Sequence, residues 1–268
     1  MKIMKDMNFK EVEKKLIADI RRVAGNMGVV VGLSGGIDSS LAVVLAVKAL
    51  GRDKVKAVIL VNSKFSKEVG IDVARKFAKG NGIDTQEFDI GDIRGRVISE
   101  TDLDTDNEIK RATLDVRLCD LFLRTVSTLE DRIFLGTINS TERLCGWFPK
   151  GSLVGDFDLL GGLLKEQIKG LALLNGLDHL VAAVSEDAKD ICSGCGYLPE
   201  FEGIPFETLD TVLFQMEVSS PDKLQKNLSD LKVPSWISDR ILKRVSEVRH
   251  KQAVFPEFTR VNLPGVRQ

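Results

Sequence analysis

Val29-Val30-Val31-Gly32-Leu33 runs directly into Ser34-Gly35-Gly36-Ile37-Asp38-Ser39-Ser40, and an apolar stretch then continues to about Leu50. The first five residues read as a strand buried on both faces, because β-branched side chains follow one another without polar alternation. The stretch after the loop reads as a helix. Two adjacent glycines let the chain turn tightly and aim backbone N–H groups at an anion, and the helix beyond adds the positive end of its dipole. Ser34, Ser39 and Ser40 can contribute hydroxyl donors. Asp38 is the odd member, since a carboxylate repels a bare phosphate. It makes sense with a Mg²⁺ ion between them, which takes one or two carboxylates together with phosphate oxygens. No lysine stands in the loop, which separates it from the Gly-Lys-Ser/Thr loop of kinases and GTPases. A plain strand-to-helix turn would need the glycines, but neither Asp38 nor the further serines.

Upstream, Asn8 with Glu11 three residues later marks a helix start, and Phe9, Val12, Leu16, Ile17, Ile20 and Val23 follow at helical spacing. Downstream, strands and helices alternate. The pattern predicts strands over 55–61 and 85–90, a helix over 68–79 between them, a long helix over 108–127 and a strand over 132–136. A helix over 163–174 and a fifth strand over 180–184 follow. Beyond Glu200 the pattern is helical, with Ser220-Pro221 and Pro234-Ser235 opening two closing helices. Segments 99–107, 148–162 and 185–203 are expected to be long loops carrying binding groups. This alternation predicts an α/β fold, a parallel sheet with helices on both faces and a helical C-terminal part. One domain is expected over 1–268, with helical additions at 1–25 and about 205–255.

The chain is 43% hydrophobic and 29% charged, which suits a folded globular protein and excludes a mostly disordered one. Its formal net charge of −1 gives no broad basic surface, so nucleic acid is not an expected partner. Residues 1–22 are studded with charges and lack the apolar centre of a secretion signal. Apolar runs such as 41–47 fall far short of the ~20 residues a membrane helix needs. A cytoplasmic chain is expected, with no membrane association and with its four cysteines reduced.

The 34–40 loop resembles the Ser-Gly-Gly-x-Asp-Ser pyrophosphate loop of the N-type ATP pyrophosphatases. That group includes NAD synthetase, GMP synthetase, argininosuccinate synthetase and several tRNA-modifying enzymes. Gly136-Thr137-Ile138-Asn139-Ser140-Thr141-Glu142-Arg143-Leu144, with Gly146-Trp147-Phe148 next, looks like the Gly-Thr-x-Asn-x-Ser-Glu, Gly-Tyr-Phe stretch of ammonia-dependent NAD synthetase. Gly161-Gly162-Leu163-Leu164-Lys165-Glu166-Gln167-Ile168 is similar to that family's Gly-Asp-Leu-Tyr-Lys-Thr-Gln-Val. Gly203 to Asp210 and the His250-Lys251 pair also resemble family segments, so the likeness runs from about residue 8 to 255.

The resemblance implies an adenine nucleotide alpha hydrolase-like fold and ATP-dependent amidation of deamido-NAD by ammonia, releasing AMP and pyrophosphate. Ser34, Gly36, Asp38, Ser39 and Ser40 would hold the β,γ-phosphates, within a nucleotide-binding loop that includes Gly32, Gly35 and Ile37. Thr137 and Arg111 would serve the nucleotide. Asp38 and Glu142 would each bind Mg²⁺, and Lys165 would offset charge on the α-phosphate, so Asp38, Glu142 and Lys165 are the expected catalytic set. A carboxylate attacking a phosphate is a meeting of two anions, so cations must be positioned there beforehand. No protein nucleophile is needed, and His179 and His250 are expected to be structural or phosphate-side groups. The family forms homodimers, to which the 108–127 helix could contribute Leu114, Leu118, Leu121 and Val126.

Four stretches depart from the family pattern. Asn107 and Arg111 align with its Asn-x-x-Ala-Arg-x-Arg-Met, but Thr113 and Leu114 stand where a second Arg and Met would be. Lys150-Gly151-Ser152-Leu153-Val154-Gly155 replaces Lys-x-Gly-Asp-Gly and loses an Asp. Ser140 stands where a basic residue is frequent. The segment from Ser185 to Ile191 is net acidic where the family has Lys-x-Pro-Ser/Thr-Ala-x-Leu, and Cys192-Ser193-Gly194-Cys195 follows it. Two other functions stay compatible with these residues. One is adenylation of a different acceptor, such as a tRNA base before thiolation, with Cys192 and Cys195 as sulfur carriers. The other is a non-catalytic nucleotide-binding module.

Overall fold

The structure, a computed structural model, describes residues 7–62, 69–104, 106–151, 154–183, 201 and 203–252. Helix α1 (Phe9–Ala24) starts at Asn8, whose side chain accepts the Glu11 N–H, and it buries Val12, Leu16, Ile20 and Ala24 at four-residue intervals. Strand β1 (Gly28–Gly32) buries Val29, Val30 and Val31. Successive residues of a strand face opposite ways, so three in a row mean that both faces are covered. Helix α2 (Ile37–Leu50) is apolar on nearly every side because it packs between α1 and the sheet.

The chain continues through β2 (Val55–Val61), α3 (Val69–Asn81), β3 (Asp84–Asp89), α4 (Gly91–Thr101), α5 (Glu108–Leu129) and β4 (Arg132–Gly136). Next come the short α6 (Ser140–Cys145), β5 (Phe157–Asp158), α7 (Lys165–Leu174) and α8 (Asp178–Ala183). Three further helices follow: α9 (Phe206–Val218), α10 (Pro221–Asp230) and α11 (Ser235–Gln252). As the Pro and Ser signals indicated, Pro221 fills the first helical position of α10 behind the N-cap Ser220.

The strands pair in the order β3-β2-β1-β4-β5, all parallel. This is the α/β sheet the alternation predicted. From β1 the chain works outward to β3, and α4 and α5 then carry it back to the opposite side of β1. The strand order therefore reverses between β1 and β4. In open parallel sheets such a reversal parts the connections at the carboxyl ends of two neighbouring strands and leaves a crevice.

Val29, Val31, Ala57, Ile59 and Leu135 form one face of the sheet, in a cluster with apolar residues of α1, α2, α3 and α7. Val30, Val58 and Phe134 form the other, against Leu123 and Val126 of α5. A separate cluster joins Leu144, Cys145 and Trp147 to Phe201, Phe206, Leu209, Leu213 and Ile241, fastening the C-terminal helices beside α6. No helix among the described residues is long and apolar enough to cross a membrane.

Two assignments change. Residues 180–183, read as a fifth strand, form part of α8. Leu177, Leu180 and, in part, Val181 are covered while Ala182 and Ala183 are exposed, which is a helical period and not a strand's alternation. Gly176, at φ +72, ends α7, and Asp178 stands in the first turn of the next helix, where its charge suits the dipole. The fifth strand is instead β5, within the stretch 148–162 read as loop. The helices α4 and α6 were likewise not anticipated. Segment 185–200 lies outside the described residues.

Candidate functional site

The loop leaving β1 forms one wall of the crevice. Gly35 sits at φ +82, and a Cβ there would run into the Gly70 carbonyl oxygen of α3, so backbone packs on backbone and only glycine fits. Ser34 and Ser39 shape the loop from within. The Ser39 hydroxyl donates to Gly36 O (3.1 Å) and accepts the Ser34 N–H (3.2 Å), while Ser34 Oγ accepts the Gly36 N–H (3.3 Å). The residue capping α2 is Gly36, which has no side chain to close the helix end, so the first-turn N–H groups face an anion site. Ser40 lies in that turn with its hydroxyl buried and without a hydrogen-bond partner among the described residues. The Ile37 side chain belongs to the core, leaving its main chain as its contribution. Gly32 ends β1 with Leu123 packed over its Cα.

The connection from β4 to α6 makes the facing wall. Gly136 ends the strand, Thr137 follows it half-buried, and Asn139 caps α6. Asn139 Oδ1 accepts the Glu142 N–H (2.8 Å) and Glu142 Oε2 accepts the Asn139 N–H (3.1 Å), a reciprocal capping box. The Asn139 amide also crosses the crevice, with Nδ2 donating to Asp38 Oδ1 at 3.1 Å. The third wall is the first turn of α7, where Lys165, buried to its tip, donates its ammonium to Asp38 Oδ2.

Three expected site residues thus meet directly or through one neighbour. Asp38 touches Lys165, and Asn139 bridges Asp38 to Glu142. The N-termini of α2, α6 and α7 converge on them, and their dipoles favour negative charge at this point. An ammonium, an amide, uncapped backbone donors and two half-buried carboxylates form a set suited to a polyphosphate. Hard carboxylate oxygens on either side of Asn139 suit Mg²⁺, which draws its remaining ligands from phosphate and water. The described residues hold no cluster of three or more His, Cys, Asp or Glu of the kind a metal bound by protein alone would need. Arg111 stands half-buried on the first turn of α5, an element that contributes none of these three walls.

Several participants escaped the sequence pattern. Asn139 was readable, because Asn followed three residues later by Glu is a helix-start signature. Thr141 and Asp210 lie in stretches that resemble family segments but carried no signal of these roles, and Asp158 carried none at all. Asp210, on α9, is fully buried and accepts from Thr141 Oγ1 (2.7 Å) and from the Glu166 N–H (2.7 Å). Burial pushes its carboxyl up to about 7 against those hydrogen bonds. Asp158 ends β5 with Oδ1 accepting the Gly155 N–H (2.8 Å), and burial likewise pushes it up to about 7, with Arg124 and Arg143 pulling the other way.

His179 and His250 are both exposed, and His250 lies on its own helix 3.1 Å from Glu247 O. The neighbouring Lys251 instead reaches α6, donating to Gly146 O (2.9 Å) and Phe148 O (3.1 Å). Cys119 and Cys145 lie on separate helices, α5 and α6. Cys192 and Cys195 lie outside the described residues.

Comparison with known proteins gives the family and the fold. The family model for NAD synthase matches residues 9–255. An NH(3)-dependent NAD(+) synthetase of Pyrococcus furiosus is 28% identical over 251 residues, covering 93% of this chain and 94% of its own. Among solved structures, NH3-dependent NAD synthetase from Campylobacter jejuni superposes with a TM-score of 0.74 at 21% identity, over 94% of this chain and 99% of that one. NMN synthetase from Francisella tularensis gives 0.71 at 23% identity, over 94% and 100%. At those identities the two superpositions establish the shared fold, whereas the family model spans both the sheet and the C-terminal helices. The chain belongs to the NAD synthase family.

Proposed function

We propose that this chain is a ligase that amidates deamido-NAD to NAD, using ATP and ammonia and releasing AMP and pyrophosphate. The observation that carries this is Asp38, held between the Lys165 ammonium and the Asn139 amide where the strand order reverses. The family match and the relatives' named activity support the same reaction.

In the first step a carboxylate oxygen of the nicotinic acid ring attacks the α-phosphorus. The bond from that phosphorus to the α,β-bridging oxygen breaks, and pyrophosphate leaves with the electron pair. The β,γ-phosphates rest on the Gly35 N–H and on the N–H groups of the α2 first turn. Lys165 carries the positive charge that meets the α-phosphate. In the second step ammonia attacks the acyl carbon, the bond to the AMP oxygen breaks, and one proton is released. Because the carboxylate and ammonia are both substrates, no side chain has to act as a nucleophile. Asp38 and Glu142 are the residues that would hold Mg²⁺, which supplies charge neutralisation along the polyphosphate. Thr137 and Arg111 are assigned to the nucleotide.

The bonds from Thr141 and the Glu166 N–H to Asp210 tie α6 and α7 to the C-terminal helix α9, in keeping with one catalytic unit. A homodimer formed through α5 is part of the proposal. Of the four residues expected to face a partner, Leu118 and Val126 are buried in the body, but Leu121 is 56% exposed and Leu129, two turns on, is 78% exposed. A cytoplasmic location suits these substrates.

The test is an endpoint assay on the purified chain with MgCl₂, ATP, deamido-NAD and ammonium chloride. NAD, AMP and pyrophosphate should form in equal amounts. Substituting glutamine for ammonium should stop NAD formation and leave no more than one pyrophosphate per active site, and adding EDTA should abolish all three products. A faster reaction with nicotinate mononucleotide would move the acceptor. Pyrophosphate release that responds to tRNA and not to deamido-NAD would replace the reaction with a tRNA-modifying one.

A further inference from the structure

Helix α7 begins at a poor place for a helix to begin. Its N-cap is Leu164, whose side chain offers no acceptor, and its first turn is buried: Lys165, Glu166 and Gln167 are 6%, 8% and 0% exposed. The N–H groups of a helix start have no partner within the helix, and here water cannot supply one. Other elements do. The Lys165 N–H donates to Thr141 Oγ1 (2.9 Å) on α6, and the Glu166 N–H donates to Asp210 Oδ2 (2.7 Å) on α9. The Thr141 hydroxyl proton goes to Asp210 Oδ1 (2.7 Å), which directs the threonine lone pairs at Lys165. Both oxygens of a fully buried carboxylate are thereby committed to the first turn of α7 and to the residue beside it.

We infer that Asp210 and Thr141 are positioning residues for the reaction: together they fix the Lys165 backbone so that its ammonium meets the reacting phosphate. Lysine has four rotatable side-chain bonds, so the aim of its ammonium depends on a fixed Cα and a packed stem. The capping bond falls on the N–H of Lys165 itself, and the ammonium at the other end of the same residue is the one on Asp38. Burial pushes the Asp210 carboxyl up to about 7, since an interior disfavours its charged form, and the bonds from Thr141 and the Glu166 N–H offset part of that cost. The inference rests on the proposed role of Lys165 at the α-phosphate.

The experiment is a double-mutant cycle on the full chain, reading pyrophosphate formation per active site, KM for ATP and the urea midpoint. Thr141→Val keeps the side-chain shape and removes the hydroxyl, and it should lower kcat by about 10- to 100-fold with little change in KM for ATP. Thr141→Ser, which restores the hydroxyl, should recover kcat to within about threefold. In a Lys165→Ala background, Thr141→Val should cost less than about twofold more, because the group it positions is gone. If Thr141→Val does not fold, Asp210→Asn takes its place in the same cycle. Parental kcat in both variants would overturn the inference, as would an equal loss with and without Lys165. Parental kcat in Lys165→Ala alone would instead remove the role of Lys165, leaving the two partners nothing to position.

Discussion

Asp158 carries a wholly buried carboxyl against the backbone of Gly136 and Gly155, and its Oδ2 has no partner among the described residues. Its folded value of about 7 stands above the ordinary 3.8, so the folded chain binds this proton more tightly than the unfolded chain. The stability it contributes is therefore complete below pH 3.8 and is lost as pH rises through about 7. Asp158→Asn removes that dependence. Relative to the parent, the variant should gain roughly 2–3 kcal/mol on going from pH 5 to pH 8.5 in urea denaturation. An identical stability difference at the two pH values would contradict this. The same residue illustrates what local sequence does not carry. Asp38 was legible because a carboxylate in an anion loop is out of place. Asp158, Thr141 and Asp210 are an ordinary acid, hydroxyl and acid in their own neighbourhoods. Asp210 acts on partners 44 and 69 positions away, a spacing to which no periodicity corresponds.

The strand–loop–helix of β1 and α2 divides its two glycines between different tasks. Gly35 needs both its positive φ and its missing Cβ, because the loop packs on the Gly70 carbonyl. Gly36 has ordinary angles, φ −79 and ψ 164, and a Cβ there would meet nothing closer than Ser34 Oγ at 3.3 Å, but it faces the crevice. Gly35→Ala should accordingly cost about 2 kcal/mol or more of stability. Gly36→Ala should keep the parental urea midpoint while weakening ATP binding, measured by calorimetry. Equal midpoints for both variants would contradict the division. This element was readable in full, since a buried strand, paired glycines and an apolar helix each leave a local pattern. The run at 180–184 was not, because a few apolar residues suit a buried strand and a helix face equally well. The packing of Leu177 and Leu180 decides for α8. With only two residues, β5 is too short to alternate, and its pairing with β4 is visible only in three dimensions.

In the whole molecule, the reversal of strand order between β1 and β4 brings the loop of residues 34–40 to the segment around Asn139, with Asp38 and Asn139 101 positions apart in sequence. The parallel sheet was legible from alternating elements, but the reversal was not, because strand order depends on which edge each crossover returns to. Outside that crevice, the exposed Leu121 and Leu129 on one face of α5 lead to a prediction about assembly. The parent should be a dimer at micromolar concentration by light scattering, and Leu121→Glu with Leu129→Glu should give a folded monomer. A monomeric parent would contradict the α5 interface. The central claim is that the carboxylate of deamido-NAD is joined to the AMP moiety before ammonia arrives. It is tested most directly by labelling that carboxylate with ¹⁸O and recording the mass of the products. The result expected is one ¹⁸O in each AMP and none in pyrophosphate; unlabelled AMP, or label in pyrophosphate, would contradict it.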